Sequence, residues 1–224
     1  MVAESGLPRP IEAVKAAVFL ILTAPLLLVL AALVLVSSGP PVLFRQKRVG
    51  RGGREFTMLK FRTMKMNDQT VQVTSAEDDR VTVAGRLLRR LKLDELPELW
   101  NVVVGDLSLV GHRPEVPRYV DLEDPRWRRV LRERPGITHP VTLRLQHEER
   151  LVAEAGGDPE RFYVDELLPF KLQGYIAYQE KRGFWQDIKV LVATAATMIG
   201  WRWYPAVSLE EVRAAEAAGE GRHD

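Results

Sequence analysis

Two adjacent acids, Asp94 and Glu95, lie in the segment LKLDELPELWN, after an arginine-rich stretch and just before Pro97. A carboxylate pair of this kind can cap a helix, bind a divalent cation, or divide into a nucleophile and a metal ligand. Capping is a real alternative, because proline is favoured in the first turn of a helix. The basic surroundings favour chemistry, since an aspartate close to several cations stays ionised, as a nucleophile must.

Two stretches rich in basic residues precede this pair. Residues 39–66 contain eight basic residues and one acid, and residues 80–92 contain five basic residues and no acid. Attraction to anionic lipid headgroups is one explanation, worth about 1 kcal/mol for each basic side chain near the surface. A phosphate site is the other, because arginine binds phosphate in a bidentate manner and lysine acts as a mobile charge.

Two of these side chains and one arginine further along the chain are candidates for such a site. Lys60 and Arg62 alternate with Phe61 on a predicted strand, so they share one face. Arg113 follows a glycine turn and precedes Pro114, which restrains the backbone near it.

Composition excludes several other kinds of protein. The chain has 224 residues, no cysteine and four histidines, and none of the histidines forms a HExxH-type pair. A disulfide scaffold, an iron–sulfur protein and a thiol enzyme are therefore excluded, and a zinc site is not expected. The net charge of +2 is too balanced for a protein whose whole surface binds nucleic acid. The length predicts one domain with an appendage.

The appendage is an apolar segment at residues 16–36, which contains no charged residue. About 20 apolar residues suffice to cross a bilayer as a helix. A secretory signal is the competing interpretation, but the segment is longer than the usual apolar core of about 7–15 residues. It also continues at once into a basic stretch.

Pro25 lies near the middle of this segment and predicts a kinked or broken helix, with Thr23 close enough to supply a hydroxyl to a freed carbonyl. Basic flanks prefer the cytoplasmic side of a membrane. A helix that enters and leaves the membrane on that side keeps both basic flanks in the cytoplasm. A kinked helix that spans the membrane once leaves one basic flank outside. Both arrangements stay open. The flanking cations are Arg9 and Lys15 before the segment and Arg45, Lys47, Arg48, Arg51 and Arg54 after it.

The rest of the chain shows strand-like and helical patterns. VLFRQKRV and REFTMLKFR, joined by GRGG, predict a β-hairpin. Residues 82–104 have helical apolar spacing that is interrupted around Pro97. Further helices are predicted over residues 123–133, 158–181 and 184–203, and the acidic tail from Ala206 onward predicts a loose surface helix.

The last long helix contains VLVATAATMIGW, which is too short to cross a bilayer at about 1.5 Å per residue. Trp201, Trp203 and Tyr204 follow it, and such aromatic residues favour a headgroup interface. A core helix and an interfacial helix are both consistent with this pattern.

The motifs occur in a recognisable order: an interrupted apolar helix, FRQKRVGRGGREFTMLKFRTM, LDELPELWNVVVGDLSLVGHRPEVP and RPGIT. This order and spacing closely resemble the bacterial sugar transferases, also called monotopic phosphoglycosyl transferases, strongly over residues 14–138 and more weakly beyond. The resemblance implies a re-entrant membrane helix. It also implies transfer of a sugar-1-phosphate from a nucleoside diphosphate sugar to a polyprenyl phosphate, usually undecaprenyl phosphate.

The resemblance also implies roles for individual residues. Asp94 would be the nucleophile that forms a phosphosugar–aspartyl intermediate, and Glu95 the ligand of a Mg²⁺ cofactor. The break in the membrane helix would fall at Thr23, Ala24 and Pro25. The implied substrate- and phosphate-binding residues are Arg48, Lys60, Arg62, Arg89, Arg113 and, on a weaker match, Asp187.

Two departures from the family pattern leave the sugar specificity open. This chain reads GHRP at residues 111–114, where the family often reads GPRP. It reads HPVTLRLQHEER from His139 to Arg150, where many members have a GWAQVNGR-type stretch.

The expected fold is α/β and mostly helical. Residues 1–38 form the N-terminal segment with a re-entrant membrane helix broken at Pro25. Residues 39–205 form a compact cytoplasmic catalytic domain with a small β-hairpin and amphipathic interfacial helices. Residues 206–224 form an acidic C-terminal tail.

The expected location is the cytoplasmic face of the bacterial inner membrane. Expected partners are a UDP-sugar as the nucleoside diphosphate sugar, undecaprenyl phosphate, membrane lipid and a second copy in a homodimer, with no nucleic acid. Two alternatives remain, a non-enzymatic basic scaffold anchored in the membrane and a one-step transferase without a covalent intermediate.

Overall fold

Helices make up most of the chain in the computed structural model, which describes residues 6–65, 80–146, 148–198, 200–201 and 203–220. The strands are β1 (Leu43–Val49), β2 (Glu55–Phe61), β3 (Ser108–Val110) and β4 (Gly136–Thr138). The helices are α1 (Arg9–Ser38), α2 (Val83–Arg90), α3 (Glu98–Val104), α4 (Pro125–Val130), α5 (Pro140–Arg144), α6 (Glu148–Ala155), α7 (Pro159–Phe162), α8 (Leu168–Lys181), α9 (Phe184–Met198) and α10 (Leu209–Glu220). The polar residues 67–80, where a loop is expected, lie almost entirely outside the described residues.

Helix α1 continues through Pro25, so the helix is not interrupted at Thr23, Ala24 and Pro25 as predicted, and a bend at Pro25 stays a prediction. Proline removes one backbone donor, which leaves the carbonyl of Ile21 without its usual partner but spares the rest of a 30-residue helix. The Thr23 hydroxyl donates to the carbonyl of Phe19 at 2.7 Å rather than to the freed carbonyl. The helix therefore continues although the hydrogen bond to the carbonyl of Ile21 is missing.

One stripe of α1 packs along the rest of the protein. Near its start, Ala16 packs in a cluster with Met58 of β2 and Val102 of α3. Further along, Val34 packs in a second cluster with Leu88 of α2. The other faces are apolar and exposed, and α1 is the one described helix long and apolar enough to cross a membrane, judged by length and composition.

The predicted hairpin is confirmed. Strands β1 and β2 pair in antiparallel register, with Arg45 opposite Leu59 and Arg48 opposite Phe56. The interrupted helical segment is confirmed as well, because α2 ends at Arg90 and α3 begins at Glu98. These two elements carry the dyad segment between them and hold it against β2.

The parallel pair of β3 and β4 was not predicted. Ser108 lies opposite Gly136 and Val110 opposite Thr138. The backbones approach so closely that a Cβ at Gly136 would lie 2.1 Å from the nitrogen of Gly111. Strands of three residues are too short to show an alternating pattern, which explains why the sequence gives no signal for them.

The C-terminal half forms the largest core. Helices α4 and α8 meet around Trp127, Leu172 and Tyr175, and Val212 of α10 is fully buried in the same cluster. The predicted loose packing of the acidic tail is therefore wrong for the start of α10. In α9, Val190 is buried and Trp185 is exposed, so this helix has both a core face and an outer apolar face.

Candidate active site

The two acids lie in a tight turn between α2 and α3. Lys92 has a left-handed backbone with φ of 56°, the one described non-glycine residue with a positive φ, and a single 3-10 turn from Leu93 to Glu95 follows it. A non-glycine residue in this region costs about 1–3 kcal/mol and persists where the surrounding structure holds it. The reversal at Lys92 brings Glu95 next to β2.

Glu95 is surrounded by cations. Its Oε1 accepts hydrogen bonds from Lys60 Nζ and Arg113 Nη2, each at 3.0 Å. Burial alone would raise the pKa of Glu95, but the charges of Lys60, Arg113 and Lys92 hold it well below the ordinary value. Glu95 is therefore ionised in the folded protein, as a metal ligand must be.

Asp94 has a different environment, although it is the next residue. Its side chain is 8% exposed, and its Oδ1 is buried with no hydrogen-bond partner among the described residues. Burial and the charge of Glu95 raise the pKa of Asp94, and nearby cations offset part of that rise. The capping alternative is wrong. The N-cap of α3 is Pro97, and no side chain caps either α3 or the 3-10 turn before it.

Glu98 joins this site, and sequence reasoning missed it. The side chain is 2% exposed, and its Oε1 lies 3.1 Å from Lys60 Nζ. Burial raises the pKa of Glu98 despite the charge of Lys60. A signal was present in the sequence, because residues three apart on a helical turn lie on the same side, as Glu98 does relative to Glu95.

The other predicted arginines lie around this centre at different depths. Arg48 donates to Gln46 and to the carbonyl of Pro114 at 3.0 Å, which places it beside the segment that carries Arg113. Arg89 donates to Thr63 Oγ1 at 2.9 Å. Helix α2 reaches Thr63 because Gly85 lacks a side chain, since a Cβ there would lie 2.1 Å from the Thr63 carbonyl oxygen.

Arg62 lies one residue beyond the end of β2 and has another set of contacts, so the prediction that it shares a strand face with Lys60 is wrong. Its guanidinium donates to the carbonyl of Pro40 at 3.0 Å and to those of Ser38 and Gly39. These three carbonyls belong to the last residue of α1 and to the two residues after it, where carbonyls lack helical partners. Arg62 therefore holds the carboxyl end of the apolar helix.

Asp187 belongs to a separate network. It is fully buried, and it accepts hydrogen bonds from the backbone N–H of Leu7 at 3.0 Å, from Tyr178 Oη at 2.8 Å and from Arg182 at 3.0 Å. Arg182 also pairs with Glu133 at 2.6 Å. The structure thus brings Asp187 to the amino-terminal segment and not to Asp94 and Glu95.

The residues fit a Mg²⁺ ion of the kind held by few protein ligands. Magnesium is bound through one or two carboxylates and is completed by water and substrate phosphates. Asp94 Oδ1 is a buried oxygen without a partner, and Glu95 is an ionised carboxylate beside it. Within the described ranges, no group of three or more acidic or histidine side chains is arranged as a complete cage.

Comparison with known proteins identifies the family of this chain. The family model described as bacterial sugar transferase matches residues 4–201, which is most of the chain. The protein therefore belongs to the bacterial sugar transferase family, and the resemblance drawn from its motifs is confirmed.

Three relatives show how far the similarity extends. The chain is 36% identical over 196 residues to the UDP-glucose:undecaprenyl-phosphate glucose-1-phosphate transferase of Caulobacter vibrioides, with 85% of this chain and 69% of that protein covered. It is 38% identical over 197 residues to the protein of the same description in Escherichia coli, covering 84% of this chain and 39% of the relative. It is 42% identical over 149 residues to the UDP-N-acetylgalactosamine-undecaprenyl-phosphate N-acetylgalactosaminephosphotransferase of Aeromonas hydrophila, covering 60% of this chain and 35% of the relative.

Proposed function

We propose that this protein transfers a sugar-1-phosphate from a UDP-sugar to undecaprenyl phosphate at the cytoplasmic face of the bacterial inner membrane. The relatives named above act on UDP-sugars and undecaprenyl phosphate according to their descriptions. The observation that carries the proposal is the free buried oxygen of Asp94, adjacent to a carboxylate held by Lys60 and Arg113. This arrangement places a nucleophile among groups that bind phosphate.

The reaction we propose has two displacement steps. In the first, an Asp94 carboxylate oxygen attacks the phosphorus that carries the sugar, and the bond from that phosphorus to the bridging oxygen breaks. The nucleoside monophosphate leaves with the electron pair, and a phosphosugar–aspartyl intermediate remains. In the second, a phosphate oxygen of undecaprenyl phosphate attacks the same phosphorus and releases the Asp94 carboxylate.

The surrounding residues have complementary roles in this proposal. Glu95 would hold Mg²⁺, which when bound neutralises part of the diphosphate charge. Arg113 and Lys60 orient phosphate oxygens beside Asp94, and Arg48 and Arg89 extend the positive surface on either side. Such preorganised cations act most strongly in a site that excludes water.

We further propose that α1 is re-entrant, with both ends on the cytoplasmic side. At its start, Arg9 donates to the carbonyl of Val103 at 2.8 Å, and Glu12 accepts from the N–H of Leu109 at 3.0 Å. At its other end, Arg62 donates to the carbonyl groups that follow the last turn. Contacts of both ends with one domain support this path, because a perpendicular span would separate them by the thickness of the bilayer.

Exposed apolar side chains on short helices support a shallow position at the membrane. Val83 and Leu87 of α2, and Trp100 and Val104 of α3, are all more than half exposed. They lie four residues apart on each helix and so form one stripe per helix. Such stripes are typical of helices that lie in the headgroup region, where a polyprenyl phosphate presents its reactive group.

A burst measurement tests the two-step reaction. With UDP-sugar and Mg²⁺ but no acceptor, wild type releases close to one nucleoside monophosphate per active site, because the first step proceeds alone. Asp94→Asn gives no burst. Absence of a burst from enzyme that turns over rapidly with acceptor would support direct transfer, and a screen of UDP-sugars with undecaprenyl phosphate identifies the donor.

A further inference from the structure

The ammonium of Lys60 lies between two carboxylates. Nζ is 3.0 Å from Glu95 Oε1 and 3.1 Å from Glu98 Oε1. Glu95 Oε1 also accepts a hydrogen bond from Arg113 Nη2 at 3.0 Å. The side chain of Glu98 is 2% exposed. Glu95 thus has two cations in this arrangement, and Glu98 shares one of them.

A divalent cation on Glu95 changes this balance. The ion and the Lys60 ammonium would compete for one carboxylate, and two positive charges a few ångströms apart repel each other. Lys60 is largely buried, and a buried ammonium without a counter-charge is strongly unfavourable. Lys60 can therefore move away from Glu95 only where another carboxylate retains its charge.

We infer that Glu98 is that carboxylate, a positioning residue that keeps Lys60 in the site while a divalent cation occupies Glu95. The inference rests on the proposed role of Glu95 as a metal ligand. Glu98 already contacts the ammonium and is fixed in the first turn of α3, so Lys60 needs only to release Glu95. The N–H groups that it frees are then available to a phosphate oxygen, since an ammonium has three donors.

The test measures metal binding and not turnover. The full-length protein in lipid nanodiscs is titrated with Mn²⁺, and free Mn²⁺ is measured by electron paramagnetic resonance. Glu98→Leu removes the acceptor, so Lys60 stays on Glu95 and the Mn²⁺ affinity falls by about tenfold, a size usual for coupled neighbours. Glu98→Gln keeps an acceptor oxygen and gives a smaller loss.

A double-mutant cycle separates this role from general damage. In a Lys60→Met background no ammonium competes for Glu95, so adding Glu98→Leu changes the Mn²⁺ affinity little. A loss of the same size in both backgrounds would overturn the inference, as would an unchanged affinity in Glu98→Leu. If Glu98→Leu does not fold, Glu98→Gln is compared in the two backgrounds under the same criterion.

The outcome also distinguishes this inference from the function on which it rests. Wild type that binds no Mn²⁺, or that binds it as well after Glu95→Gln, would contradict the metal role of Glu95 and the inference with it. Binding that depends on Glu95 but not on Glu98 would contradict the inference alone.

Discussion

Asp94 and Glu95 are consecutive in the chain, yet their carboxyl groups have opposite electrostatic environments. Burial and the charge of Glu95 raise the pKa of Asp94, whereas Lys60 and Arg113 hold the pKa of Glu95 well below its ordinary value in spite of burial. Neighbouring acids whose pKa values are separated in this way suit different tasks. The first two predictions follow from this difference.

Asp94→Asn should lower transfer to less than about a tenth of wild type, because an amide is a poor nucleophile toward phosphorus. The side chain is similar in size and makes no described hydrogen bond through Oδ1, so the fold should be retained. Nucleoside monophosphate release in the presence of acceptor measures the first effect, and thermal unfolding measures the second. Activity above that level would exclude the nucleophile role.

Glu95→Gln should lower activity by about tenfold or more and raise the Mg²⁺ concentration needed for half-maximal rate, because a neutral amide binds the ion weakly. It also leaves Lys60 and Arg113 without their shared anion. Rates measured over a series of Mg²⁺ concentrations test this prediction. Full activity with an unchanged Mg²⁺ dependence would remove Glu95 from the site.

The re-entrant path of α1 can be tested with single cysteines, since the chain has none of its own. Gly6 is a poor labelling position, because its φ is +128° and an added Cβ would lie 2.4 Å from Asp187 Oδ2. Cysteines at Ser5 and Ser38 should both resist a membrane-impermeant thiol reagent in intact cells and react after permeabilisation. Ala206→Cys is the control for the domain side, and labelling of Ser5→Cys alone in intact cells would indicate a spanning helix.

Asp187→Ala should destabilise the protein by about 3–5 kcal/mol, because it removes a fully buried partner of Arg182 and leaves that guanidinium with Glu133 as its acidic partner. Glu180→Ala is the matched control, since it breaks an exposed pair with Arg129 that is worth about 1 kcal/mol or less. Thermal unfolding in detergent compares the two. A loss of donor binding in Asp187→Ala without any change in unfolding temperature would instead support a role in the substrate site.

The stability of the domain should fall as the pH drops below about 6.5, the ordinary pKa of histidine. Burial, assisted by the charge of Arg182, lowers the pKa of His112 to about 3. Between those values the unfolded chain binds a proton at His112 that the folded chain does not. The free energy of unfolding is therefore unaffected by His112 above pH 6.5 and falls as the pH drops below it. The loss attributable to His112 reaches about 3 kcal/mol at pH 4.5.

Unfolding temperatures of wild type and His112→Gln at pH 7.5 and pH 4.5 measure this effect. The variant should lose less stability on acidification than wild type. An equal loss in both would assign the acid sensitivity to other groups, of which His139 is the nearest candidate, because burial also holds its pKa well below the ordinary value.

The parts of the fold that the sequence predicts are those with a strong local pattern. The hairpin follows from alternation and a glycine turn, and the interruption between α2 and α3 follows from Pro97. The acidic pair is visible for a similar reason, because two adjacent acids directly after a basic segment have no simple structural explanation beyond capping.

The remaining features depend on tertiary contacts that no local pattern encodes. Alternation predicts that Lys60 and Arg62 share a strand face, yet β2 ends at Phe61, and Lys60 contacts the dyad whereas Arg62 contacts the end of α1. Glu98 looks like a common acid in the first turn of a helix. Its burial results from the packing of α3 against β2, and that packing has no signature in the residues around it.

The inner stripe of α1 has a consequence for biosynthesis. Ala16 and Val34 belong to two clusters whose members outside α1, among them Met58 and Leu88, are synthesised later. In the membrane position proposed above, the helix would enter the lipid before the hairpin that packs against it is synthesised. The hairpin and α2 would then fold against a helix that is already inserted. Expression from residue 39 onward would yield a chain with two incomplete cores and a tendency to aggregate, and not a water-soluble enzyme released from its anchor.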